Sequence, residues 1–307
     1  KLYQAYPFFA DEYKTFMKAG RPYQDEVHMT NQFSIFTEDK GHMPLYEGRM
    51  VEQYDYRAKG YVSGRGRGAI WESMHFPWQS KSIKPQWHVN PALLARDIAS
   101  RSKVFRIGVC NVSSPTNQRS LVSAMIPREV VCGNVLPTIY FPDRPMSMSL
   151  LWLGIANSVI MDFLVKKKVG LHLTFSILDT LPIPARRPTT KSELTIARLA
   201  ASLSLAGSEM NEAVSIFSAE DPGWCGTILT EPNERALAKA EIDAIYGGKI
   251  LGLSRDELLF LLKPSELSPS FEDYDTFGAL ERAEVREFGE FRTKRLVIEA
   301  WDKLMGD

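Results

Sequence analysis

The stretch "SGRGRGAIWESMHFPWQSKSIKPQW", residues 63–87, interleaves Arg65, Arg67, Lys81 and Lys84 with Trp71, Phe76, Trp78 and Trp87. Guanidinium groups on a glycine-rich loop can reach phosphates, or grip guanine O6 and N7 bidentately. The Gly-Arg repeat is not a phosphate-binding P-loop, because the closing Lys-Ser/Thr is missing. The tryptophans are expected in the core, where large aromatics dominate. A second polar cluster, "PTNQRS" at 115–120, follows a strand-like run. Asn117 and Gln118 carry the amide that pairs with adenine, and Arg119 suits guanine or phosphate. Lys166, Lys167 and Lys168 close an apolar helical run. They complement its dipole there, and against a polyanion they would neutralise phosphates without reading sequence. Arg106, in the strand-like "FRIGVCNV", completes the candidate cations.

Other chemistries find less support. Glu47, Glu52 and Asp55 in "LYEGRMVEQYD" have no histidine close by in sequence, so a structural, domain-joining role is expected for them. A nuclease reading needs an acidic residue followed by Asp/Glu-x-Lys to hold Mg²⁺. "EYK" (12–14) and "EDK" (38–40) supply only the short half, and such tripeptides arise by chance in a charged chain. His28, His42, His75, His88 and His172 are scattered without metal-ligand spacing. There is no Gly-x-Ser-x-Gly elbow. Cys110, Cys132 and Cys225 are odd in number and widely spaced, which points to buried thiols in a reducing cytoplasm.

The net charge of zero conceals a strong asymmetry. Residues 1–56 sum to −3, whereas residues 57–190 hold 18 Lys/Arg against six Asp/Glu, a net +12. Residues 191–307 sum to −9. A basic middle beside an acidic tail suggests a polyanion-binding region on a helical scaffold. The alternative is that the basic part docks on the acidic one. No apolar run reaches about eighteen residues, so no membrane span is expected, nor does the start read as a signal peptide. The chain lacks an initiator Met and is expected to be a fragment of a longer protein or a separate subunit.

These residues need elements to hold them. "FFADEYKTFMKAG" reads as a helix, and residues 41–145 as strands and loops. A short helix is expected over 85–103, with Asn90 as N-cap and Pro91 at the first helical position. One apolar helix is expected from about 150 to 168, ended by Gly170. Leu171, Leu173, Phe175 and Ile177 then alternate with His172, Thr174 and Ser176 as an edge strand, which "LPIP" stops. Beyond 188 the chain turns helical. Thr190/Glu193 and Ser254/Glu257 form capping boxes. Long helices are expected over 190–217 and 280–304, and one over 233–246 ending at Gly247-Gly248.

Five blocks then occur in order: "PLYEGRMVEQYDYR" (44–57), "RIGVCNVSSPTNQRSLVSAMIP" (106–127), "ANSVIMDFLVKKKVGLHLTFSILDTLPIP" (156–184), "AEIDAIYGGKILGLSRDELLFLL" (240–262) and "YDTFGALERAEVREFGEFRTKRLVIEAW" (274–301). Together they resemble the C-terminal half of large adenine-specific DNA methyltransferases of type IIG and related restriction or phage-defence systems. The block at 156–184 is also similar to the segment closing target-recognition domains in type I specificity subunits. The resemblance implies a domain that grips double-stranded DNA and reads a short sequence. It also implies a partner methyltransferase domain of the same parent chain, using S-adenosylmethionine to methylate adenine N6. No Asn-Pro-Pro-Tyr or Asp-Pro-Pro-Tyr motif for a flipped adenine is present. No catalytic residue or cofactor is therefore expected in this chain. The expected fold is α+β, with an N-terminal segment (1–40), a mixed-strand recognition domain (41–188) and a helical region (189–307), in the cytoplasm. Competing expectations are a nuclease or modification subunit with an unrecognised active site, and a protein–protein module.

Overall fold

The computed structural model describes residues 23–27, 36–38, 41–75 and 77–306. The helix expected in "FFADEYKTFMKAG", the "EYK" tripeptide, most of "EDK" and Phe76 lie outside these residues. The fold is α+β, with the strands early in the chain and the helices late. Among the described residues ten short strands run in chain order: β1 (Tyr23–Gln24), β2 (Phe36–Thr37), β3 (Met43–Tyr46), β4 (Lys59–Ser63), β5 (Ile70–Ser73), β6 (His88–Val89), β7 (Arg106–Val109), β8 (Ser123–Ile126), β9 (Val131–Cys132) and β10 (Thr138–Ile139). The first sheet has the order β1-β10-β7-β8 and is antiparallel throughout, with Ile107 opposite Met125 and Gly108 opposite Ala124. The second, β2-β6-β3-β9, contains one parallel pair, Tyr46 opposite Cys132. β4 and β5 form a separate hairpin.

Helices follow: α1 (Arg96–Arg101), α2 (Met146–Ala156), α3 (Val159–Lys166), α4 (Phe175–Leu178), α5 (Lys191–Ser204), α6 (Asn211–Glu220), α7 (Pro232–Ala244), α8 (Arg255–Leu262), α9 (Gly278–Phe288) and α10 (Arg292–Met305). Both capping boxes form, Thr190/Glu193 on α5 and Ser254/Glu257 on α8. Asn90 caps a single 3₁₀ turn, Pro91–Leu93, and α1 starts separately after it.

Several expected elements are broken or replaced. The helix expected over 150–168 is two helices, bent by 60° between α2 and α3. The Asn157 side chain leaves the helix there to bond both Ser123 N and Ser123 O of β8, while Ser158 caps α3. The edge strand expected over 171–177 does not form. Only His172 makes a bridge, to Val112, because Thr174 accepts a hydrogen bond from Ile177 N at 3.3 Å and starts α4. The run 190–217 is interrupted at Gly207, whose φ of 108° no helix tolerates. Gly247 and Gly248 do not end α7. They sit in a wide π turn, Ile245–Ile250, where a Cβ on Gly248 would meet Trp301 Nε1 at 3.0 Å. The expected 280–304 helix is split into α9 and α10.

One hydrophobic cluster extends from Tyr46 to Ile298, so the core crosses the boundary expected at 188. The segment 44–57 stitches the two halves. Gln53 Nε2 donates to Leu121 O and Asn157 O, Tyr54 Oη to Gly154 O, and Tyr56 Oη and Arg57 Nη2 both to Ala206 O. Among the described residues no single helix is long and apolar enough to cross a membrane.

Candidate nucleic-acid interface

The β4–β5 hairpin carries the Gly-Arg repeat at its tip. Arg65 stands out from it, 76% exposed, with Nη2 2.5 Å from Glu38 Oε1 and its guanidinium 6.0 Å from the Trp87 ring. Gln86 Nε2 donates to Gly64 O at 3.4 Å. The side chain of Arg67 lies outside the described set. Lys84, also exposed, pairs with Glu72 on β5 at 3.1 Å.

Beside the tip lies an open groove of about 880 Å³, lined by Arg49, Arg65, Gln86, Trp87 and Val112. Arg49 stacks over Trp71 at 5.2 Å and stands 3.4 Å from Glu47. Burial raises the Glu47 carboxyl above its usual range, and Arg49 opposes that rise. The groove rim continues into the β7–β8 loop. Val112 bridges His172, Ser113 N donates to Leu171 O, and His172 Nδ1 lies 3.1 Å from Asn111 Oδ1. From that rim the loop carries Asn117 and Gln118 out to solvent, shaped by a Ser114 turn that accepts from Thr116 N.

The triple lysine divides by role. Lys166 is buried under the loop, where Nζ donates to Pro115 O at 3.2 Å, to Asn117 O and to Ser120 Oγ at 3.1 Å. Burial pushes its ammonium pKa down, Arg119 adds to this, and Asp162 opposes it. It shapes the loop and presents no charge to a duplex. Lys168 donates to Thr180 Oγ1 at 2.7 Å and stays exposed. Lys167 is exposed above the Phe163 ring.

Three further candidates are interior groups. Lys81 is buried in an ion pair with Asp55 at 2.5 Å, over the Trp78 ring. Arg106 is fully buried and grips Glu26 with two bonds, of 2.5 and 2.9 Å. Glu26 also accepts from Cys132 N and Thr138 Oγ1, so this pair welds the two sheets. Arg119 is mostly buried, with Nη2 on Asn157 O and Nε 3.4 Å from Asp162. Neither Lys81 nor Arg106 can lie on a phosphate backbone, and Arg119 turns away from the hairpin groove to line a separate cleft. More of the +12 segment is paired with the acidic tail: buried Arg57 with Glu209, half-buried Arg186 with Glu193, and Arg128 with Glu212 at the surface. For those cations the basic part does dock on the acidic part.

Arg49 and Gln86 were not among the sequence candidates, and Trp87 was expected in the core. The sequence signal for Arg49 is the "YEGRM" run itself, where it stands two residues from the Glu47 carboxylate. Trp78 is buried as expected, whereas Trp71 and Trp87 are half-buried. Cys110 and Cys132 are partly and fully buried, but Cys225 is exposed, contrary to expectation. Among the described residues no group of three His, Cys, Asp or Glu side chains could hold a metal ion. No family model matches the chain, and no curated protein matches it.

Proposed function

We propose that this chain binds double-stranded DNA sequence-specifically. In this reading it is the target-recognition part of an adenine-N6 DNA methyltransferase of a restriction–modification or phage-defence system. The observation that carries the reading is the pairing of an exposed hairpin-tip Arg65 with an open groove lined by Arg49, Gln86 and Trp87. Asn117 and Gln118 leave the rim of the same groove on a loop held from below by Lys166. Arginine and amide side chains on turns are the groups that read base edges in the major groove. Lys84, Lys167 and Lys168 supply exposed charge for phosphates. The methyltransferase partner domain and its S-adenosylmethionine rest on the five ordered sequence blocks alone.

The test is a titration of the chain with duplex oligonucleotides across a salt series. Binding that weakens steeply with salt, and is reduced in R65A/R67A and Q86A, is the expected result. Exposed Val112 and Leu171 on the rim favour a protein partner as the second reading. Absence of duplex binding at low salt would point to it. Incubation with plasmid and Mg²⁺, then with labelled S-adenosylmethionine, should give neither cleavage nor transfer.

A further inference from the structure

A second cleft, of about 330 Å³, lies between α7, α9, α10 and the end of the β7–β8 loop. Four cations line it: Arg119, Arg235, Lys239 and Arg292. Among the described residues, Arg235, Lys239 and Arg292 have no carboxylate within ion-pair distance. Arg235 donates to Leu203 O and Leu229 O and stacks on Trp78 at 4.2 Å. Arg292 donates to Asn233 Oδ1 and stacks on Phe288 at 4.6 Å. Lys239, half-buried, stands with its Nζ 5.8 Å from the Tyr54 ring. The two carboxylates of the lining are engaged elsewhere. Asp243 accepts from Val159 N at 2.8 Å, and Glu284 accepts from Thr293 N and Oγ1. Partly buried cations that converge without a counter-charge are costly unless an anion joins them.

We propose that this cleft binds a phosphoryl anion, held by Lys239 together with Arg235, Arg292 and Arg119. Convergent guanidinium groups suit the several oxygens of a phosphate, and the ammonium adds a point charge. The volume fits inorganic phosphate or a small phosphate monoester, at the lower limit of ligand pockets. Its electrostatics agree. Burial, then Arg235 and Arg119, lower Lys239 to about 8, against the pull of Glu52 and Asp55. Burial raises Asp243 to about 7, with Asp162 adding to the rise and Arg119, the Val159 amide and Lys239 opposing it. Glu284 from α9, Arg292 from α10 and Tyr54 complete the charged and titratable groups facing the cleft. Acidification therefore charges Lys239 and neutralises Asp243, so the cleft gains positive charge as pH falls from 9 to 6.

This inference is independent of the DNA reading, because the titration contains no nucleic acid. Isothermal titration of the full chain with inorganic phosphate, at constant ionic strength in chloride, is expected to show saturable binding. Lys239→Met, which keeps the stem and removes the half-buried charge, should weaken it roughly tenfold or more. Sulfate, whose own charge is constant between pH 6 and 9, should bind the wild-type chain more tightly at pH 6. Non-saturable phosphate binding, equal binding by K239M, or sulfate affinity independent of pH would each overturn the proposal. A duplex oligonucleotide that displaces phosphate supports the site with a DNA backbone phosphate as its occupant. One that binds without displacing it supports a free small phosphate.

Discussion

Arg106 and Glu26 show what a buried charge does in this fold. Glu26 takes four hydrogen bonds from Arg106, Cys132 N and Thr138 Oγ1, and so ties β7, β9 and β10 to the segment before β2. Removing one partner leaves an uncompensated interior charge. Glu26→Ala is expected to cost about 3–5 kcal/mol in denaturant unfolding, and a cost within error of zero would refute the role given to the pair. Asp243 gives a pH signature. Its folded pKa of about 7 exceeds the unfolded 3.8, so the native state binds more protons and this group's contribution is lost as pH rises through 7. Asp243→Asn keeps an acceptor for Val159 N. The variant should match wild type near pH 4 and exceed it at pH 8 by roughly 2–4 kcal/mol. Thermal melts at the two pH values check this. Residue types were legible in the sequence, but their burial was not. Lys81, Lys84, Lys166 and Lys167 look alike in a string, and only packing separates the interior Lys81 and Lys166 from the exposed other two.

At the scale of elements, local chemistry decided what could be read. Thr190/Glu193 and Ser254/Glu257 are local devices and form as expected. Thr190→Ala should lower stability by about 1 kcal/mol, measured by the midpoint of urea unfolding. The failures are places where a local bond competes with periodicity. The alternation at 171–177 satisfies a strand template, but the Thr174 hydroxyl reaches Ile177 N and a helix wins. The apolar run at 150–168 satisfies one helix, but Asn157 has a better use as a partner for the Ser123 backbone. That bond was invisible because Ser123 is 34 residues away. Part of the groove was legible in the same way. The Gly-Arg hairpin tip announced itself, whereas Arg49 joins it only through the packing of β3 against β6 and β9.

For the whole molecule, the −3, +12 and −9 segments are not three separate bodies. Arg57, Arg128 and Arg186 reach across to acids of the helical tail, and the shared core extends from Tyr46 to Ile298. The asymmetry is therefore partly a folding device, and the charge left for a partner is smaller than the sequence total. Among the described residues the outward cations of this segment include Arg65 on the hairpin, Lys84 beside it, Lys167 and Lys168 after α3, and also Arg96, Lys103, Arg144 and Arg187. A duplex bound there should release counterions in proportion to the phosphates those side chains neutralise. The decisive measurement is duplex affinity against salt for the wild-type chain and for R65A/R67A/K167A, with melting temperature as the control for folding. A steep fall for wild type is expected, with the slope of log affinity on log salt reduced by about 0.9 per phosphate contact removed and melting unchanged. A flat wild-type dependence, or a slope the triple variant leaves untouched, would contradict the account.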